Sequence, residues 1–200
     1  MTEARSAPVA ALRSVARASA RKHVVEQALR LFDERGFDET TIDDIAAAVG
    51  MSSRSFFRYF PVKEDVVVGD PAPFGALVRD AADSRPMGEP VWQVLRHAFA
   101  PIEASAAAET ETGLRIMRVM MRTPSLRARN LEKHSAWAEM LVPVIMERVG
   151  GPIEERQFRA QTLVHGALAC LDVALAEWTL RNGTTPVNQL LDESFETMRS

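Results

Sequence analysis

Gly50 separates two helical windows, each too short to stand alone as a helix in water, and this pairing constrains the fold more than any other feature. The first window, residues 41–49, opens at Thr41, whose hydroxyl can cap a helix. Asp44 lies three residues on, where it closes a capping box. The second window follows Ser52, another capping hydroxyl, and stops before Pro61. A tight turn between steeply crossed helices needs a positive φ, which glycine takes without steric cost, and a small residue at the crossing, which Ala46 supplies. Ile45, Val49, Met51, Phe56 and Tyr59 fall at offsets that let the two helices share a mini-core. Residues 41–60 therefore read as a helix-turn-helix, a unit whose second helix enters the major groove of DNA.

A net charge of −3 argues against nucleic acid as a partner until the charge is mapped by segment. Residues 1–22 carry Arg5, Arg13, Arg17, Arg21 and Lys22 against the single acid Glu3. Residues 51–63 carry Arg54, Arg58 and Lys63 with no acid, whereas residues 23–50 hold seven acids and two bases. Such sorting is what a nucleic-acid footprint requires. Arg13, Arg17 and Arg21 are spaced by four, so a helix would set them on one face, suited to the DNA backbone or a minor groove. The same arm, rich in Ala, Ser and Arg, also has the composition of a transit peptide or of a solubilising tail.

The rest of the chain reads as helix punctuated by Pro and Gly, giving an all-α fold of about nine helices. The spacing predicts helices over about 16–35, 41–50, 53–60 and from 63, the last broken or kinked by Pro71 and Pro73. Further helices follow over 91–107, 111–121, 124–149 with a kink at Pro143, and 154–181, and Thr185 caps a last one. The domains expected are a flexible basic arm (1–18), a three-helix DNA-binding domain (19–62) and a C-terminal helical bundle (63–200). No apolar run approaches the ~20 residues of a membrane span. The lone Cys170 sits in an apolar stretch, where a small buried core residue is expected. The absence of a disulfide framework suits a reducing, cytoplasmic setting.

The segments ALRLF (28–32), GF (36–37), TTIDDIA (40–46), GMS (50–52) and SRSFFRYFPVKED (53–65) resemble the TetR family of transcriptional regulators. The FFRYFP-x-KE portion is the most specific and resembles an actinobacterial subset that includes mycofactocin-type regulators. Val62 departs from the pattern, where Ser or Asn is commoner. The resemblance implies a sequence-specific DNA-binding regulator, a ligand-responsive homodimeric repressor acting on a palindromic operator. The alternatives are an activator of the same fold, a helical scaffold or an enzyme. Ser52, Ser53, Arg54 and Ser55 open the recognition helix. Arg54 is the candidate for a bidentate contact to guanine or for a phosphate contact, and Arg58, one turn on, for a backbone contact. Thr41, Tyr59 and Lys63 are phosphate-clamp candidates by the same likeness, joined by Arg17 and Arg21 of the arm. Phe56, Phe57 and Phe60 read as core.

The C-terminal bundle offers two further surfaces. Ala167, Cys170, Leu171, Ala174 and Trp178 form an apolar stripe, and with Leu190, Leu191 and Phe195 of the last helix they are the expected homodimer interface. Phe74, Leu77, Trp92, Leu95, Phe99, Met117, Met120, Met121, Trp137 and Leu141 are the expected lining of a pocket for a small lipophilic effector, with the alternative that most of them are simply core. His97, Glu103 and His134 are candidates for polar contacts there. No Gly-rich phosphate loop, nucleophile elbow or metal-ligand spacing is present, so neither an enzyme, a cofactor, a metal nor a membrane partner is expected.

Overall fold

The structure is a computed structural model that describes the backbone of residues 6–199 and the side chains of residues 16–199. Arg5 and the side chain of Arg13 lie outside the described residues. Eleven helices and no strand are present among the described residues. They are α1 (Ser6–Arg35), α2 (Ile42–Ala48), α3 (Ser53–Phe57), α4 (Asp65–Val68), α5 (Pro71–Asp83), α6 (Val91–Ala98), α7 (Ala100–Ala108), α8 (Thr110–Arg122), α9 (Pro124–Met146), α10 (Ile153–Leu180) and α11 (Val187–Thr197).

The chain divides after Gly69 into two compact units, seven residues beyond the boundary expected at residue 62. The physical reason is the single turn α4: Val66 and Val67 are buried, and the turn packs on α1. Pro71 and Pro73 do not kink a fourth helix. Pro71 starts a new one, capped by the Asp70 side chain accepting from the amide of Ala72 at 3.0 Å. The first helix begins at Ser6, ten residues before the expected start, so residues 6–18 are helical. The expected helix over 91–107 is two, meeting at Phe99.

The N-terminal unit is built around Val24, Ala28, Leu29 and Phe32 of α1, which pack with Phe37, Ile45, Ala46, Phe56 and Phe60. Ile45, Phe56 and Phe60 thus hold α2 and the α3 segment on one core. Phe57 differs from expectation: it is 50% exposed, its edge against the Phe56 ring.

In the C-terminal unit α9 packs against α5 and α10, and α10 against α11. A Cβ on Gly75 would lie 2.7 Å from Trp137 Cδ1 and 2.9 Å from Met140 Sδ, so glycine is what lets α5 approach α9 so closely. The Arg148 guanidinium closes the C-terminal end of α5, donating to the carbonyls of Ala82, Asp83, Arg85 and Pro86 at 2.9–3.3 Å. The stripe expected to form the dimer interface lies inside this bundle. Ala167, Cys170, Leu171, Ala174, Trp178, Leu190, Leu191 and Phe195 are each exposed by 4% or less within a single chain. An apolar face must be covered, but periodicity does not say by what; here the chain's own helices cover it. Cys170 is a free, buried core residue, and burial pushes its thiol up. Contrary to the sequence reading, α10 is long and apolar enough to cross a bilayer by length and composition, but its inner face is built into the bundle core.

Candidate nucleic-acid interface

The helix-turn-helix forms as its caps dictate. Thr41 Oγ1 accepts from the Asp44 amide at 3.1 Å, and Asp44 Oδ2 accepts from the Thr41 amide at 2.9 Å and from its hydroxyl at 2.6 Å. These bonds, with Arg35 nearby, hold the Asp44 carboxyl below its ordinary range. The box is therefore intact at neutral pH and lost only as pH falls through that depressed value. Ser52 Oγ accepts from the Ser55 amide at 3.2 Å and donates to Ser55 Oγ at 3.1 Å. Gly50 takes φ +68° in the turn, as the sequence requires.

Most polar side chains of the unit are committed to the protein itself. Ser53 Oγ donates to Asp43 Oδ1, which ties the start of α3 to α2. Arg17 donates to the Arg58 carbonyl at 3.2 Å, with its guanidinium 5.9 Å from the Tyr59 ring centroid. Arg21 donates to the Tyr59 carbonyl, and its guanidinium lies 4.4 Å from the Phe60 centroid. Both cations thus meet carbonyls left open where α3 ends, the end that favours positive charge. Lys63 Nζ donates to the carbonyls of Phe37 at 2.7 Å and Thr40 at 2.9 Å, and sits 4.2 Å from the Phe37 centroid.

Arg54 and Arg58 are different. Both side chains are exposed, and neither makes a hydrogen bond or ion pair with the described residues. Arg54 lies in α3 and Arg58 is its C-cap residue, one turn on; α3 is the second helix of the motif, the helix that such units lay in the major groove. Of the expected contact residues, therefore, Arg54 and Arg58 are presented outward. Thr41, Ser52, Ser53 and Ser55 cap or join helices, Arg21 and Lys63 are part-buried on main-chain oxygens, and Arg17 donates to one while staying exposed.

The expected pocket residues are placed less uniformly. Leu95, Phe99 and Leu141 are fully buried, and Met120 and Trp137 nearly so. Phe74, Trp92, Met117 and Met121 keep part of their surface. Leu77 is 51% exposed, because Phe74 and Val78 take the inner face of α5 and leave Leu77 outside. Trp92 lines a shallow cleft with Arg96, Asp192, Phe195 and Arg199. Glu103 pairs with Arg96, and His97 lies 3.2 Å from Glu89 on the surface. Sequence reasoning missed Lys133; its signal was a lysine four residues before Trp137, one helical turn away.

The family pattern for bacterial regulatory proteins of the tetR family matches residues 24–68, and that for the MftR C-terminal domain matches residues 89–200. The chain is 28% identical to the mycofactocin biosynthesis transcriptional regulator MftR of Mycobacterium tuberculosis, over 87% of this chain and 86% of that one. It is 30% identical to the HTH-type transcriptional regulator TcmR of Streptomyces glaucescens, over 82% of this chain and 75% of the relative. In fold it is similar to the Bacillus subtilis regulator FadR solved with stearoyl-CoA (TM-score 0.58, 14% identity, 88% of this chain and 96% of that one). It is likewise similar to NalD, the secondary repressor of the MexAB-OprM efflux pump in Pseudomonas aeruginosa (TM-score 0.57, 16% identity, 91% and 94%). With a tetR-type helix-turn-helix over residues 24–68 and an MftR-type domain over residues 89–200, the chain belongs to the TetR family of bacterial transcriptional regulators, which are not enzymes.

Proposed function

We propose that this regulator is a cytoplasmic homodimeric repressor that holds a palindromic operator through Arg54 and Arg58 and releases it when a small lipophilic effector enters the C-terminal unit. The observation that carries the DNA reading is a contrast: the side chains of Thr41, Ser52, Ser53, Ser55, Arg21 and Lys63 are bonded within the protein, whereas those of Arg54 and Arg58 are exposed cations with no hydrogen bond or ion pair to the described residues. A guanidinium matches the O6/N7 edge of guanine bidentately. Replacing Arg54 with Ala should weaken binding to the operator by about 1–3 kcal/mol and binding to unrelated DNA much less. Mobility shifts with DNA flanking its own gene check this. No salt-sensitive shift with any such fragment sinks the regulator reading, and equal losses on both DNAs reduce Arg54 to a phosphate contact.

One recognition helix reads few base pairs, so a two-fold dimer is the economical way to reach operator affinity. The buried stripe of α10 is covered within one chain, which leaves the outer face of α10 to meet a second copy. Phe158, Thr162, His165, Ala169, Val173 and Leu180 recur there at helical spacing, and Phe158, Val173 and Leu180 are 71%, 61% and 67% exposed. Large apolar side chains spaced along a water-facing helix in this way call for a partner surface. Val173→Asp should convert the dimer to a 22.1 kDa species in sedimentation at micromolar concentration. A wild-type monomer, or a Val173→Asp dimer of unchanged affinity, rejects this face.

The effector is read from the part-buried Phe74, Met117 and Met121, which offer adaptable apolar surface in the C-terminal unit. The stearoyl-CoA bound by FadR in its crystal structure carries a long acyl chain, the kind of apolar moiety such a surface would take. A ligand shifts DNA affinity only by as much as it prefers one state of the dimer over the other.

A further inference from the structure

Four side chains of α9, Asn130, Lys133, His134 and Trp137, fall at i, i+3, i+4 and i+7, and so share one face. Asp172 of α10 meets them. Its Oδ2 lies 3.2 Å from His134 Nδ1, and its Oδ1 accepts from Asn130 Nδ2 at 3.3 Å. Both carboxylate oxygens are thereby engaged by other partners. Trp137 is fixed as well: its indole N–H donates to the Pro71 carbonyl at 2.9 Å, and its ring stacks with Phe74 at 6.4 Å and an interplanar angle of 16°.

Lys133 is what remains. Its ammonium lies 5.1 Å from the Trp137 centroid and has no hydrogen-bond acceptor among the described residues. It is deep enough that burial pulls its pKa down to about 8 despite the opposing pull of Asp172. The side chain is nevertheless not sealed off, because it keeps part of its accessible surface. An ammonium with three donors, one aromatic face, no protein acceptor and only partial access to water is an arrangement that an anion would complete.

We propose that Lys133 anchors a carboxylate-bearing apolar effector, whose charge pairs with the ammonium and whose apolar part lies against Trp137 and Phe74. This rests on the ligand-responsive reading above and names the chemistry of its ligand. The single cation fits a monoanion. The Asp172 carboxylate close by disfavours a phosphate monoester dianion, and the ammonium itself disfavours a cation.

The test is calorimetric titration of the full chain with octanoate, octanamide, octyl phosphate, 2-naphthoate and 2-naphthamide. At least one carboxylate should bind about tenfold or more tighter than its own amide and than octyl phosphate. Lys133→Met should erase that ratio while keeping amide binding, and Lys133→Arg should retain it. Lys133→Gln serves if the methionine variant misfolds, as judged by circular dichroism. The proposal is overturned if neither carboxylate is preferred, if the preference survives in Lys133→Met, or if octyl phosphate binds best. Mobility shifts run in parallel keep the two readings apart. A wild-type chain that shifts DNA but shows no carboxylate preference loses this proposal alone, whereas one that shifts no DNA loses the regulator reading itself.

Discussion

Replacing Lys63 with methionine should lower the stability of the N-terminal unit by about 3 kcal/mol and leave the salt dependence of DNA binding unchanged. The ammonium makes two charge-assisted hydrogen bonds, to the carbonyls of Phe37 and Thr40, and rests against the Phe37 ring. Hydrogen bonds to a charged group contribute roughly 1.5–3 kcal/mol each, and removal leaves the Thr40 carbonyl without a donor among the described residues and the Phe37 carbonyl with only the Thr40 amide, at 3.3 Å. Thr40, whose carbonyl accepts one of these bonds, is itself fully buried and donates its hydroxyl to the Gly36 carbonyl at 2.8 Å. Lys63 therefore fastens the α1–α2 connection to the segment leading into α4. A phosphate contact would behave in the opposite way: stability would hardly move, and the slope of log K against log salt would fall by about 1. Urea unfolding and mobility shifts at several salt concentrations separate the two outcomes.

The same distinction explains what was and was not legible in the sequence. Caps and turns are local, and Thr41, Asp44, Ser52 and Gly50 each do what their identity and spacing predict. The identity of a partner across the fold is not local. Arg17 and Arg21 are cations at helical spacing, a pattern that suggests a DNA-facing stripe. Their partners, the carbonyls of Arg58 and Tyr59, are main-chain groups about 40 positions away that leave no mark in the side-chain sequence. Ser53 likewise carries no sign that Asp43, ten residues earlier, will take its hydroxyl. The apolar stripe of α10 was legible as a face to be buried, but its covering by α11 rather than by a second chain was not. The residues that carry the interface proposal lie on the opposite face, where Phe158, Val173 and Leu180 are exposed apolar side chains.

Lys133→Met should make the ligand-free protein more stable at pH 7, by about 2–3 kcal/mol, which reverses the usual sense of a substitution in a protein interior. A lysine in the unfolded chain titrates near 10.5, and burial holds Lys133 at about 8 in the folded one. Below pH 8 both states carry the proton, and the folded state bears the cost of a charge that it solvates poorly. Between pH 8 and 10.5 the folded state releases the proton while the unfolded state keeps it, so wild-type stability climbs as pH rises through that window. The methionine variant has no such group, and its advantage should shrink across the same window and vanish above it. Subtracting the two stability curves isolates Lys133 from the other groups that titrate at high pH. A variant that is less stable than wild type at pH 7 would mean that the ammonium is already partnered in the empty protein, and the case for an anionic effector would fall with it. A variant that is more stable, and that also no longer distinguishes octanoate from octanamide, would identify Lys133 as a side chain that destabilises the free regulator and gains its partner only from the ligand.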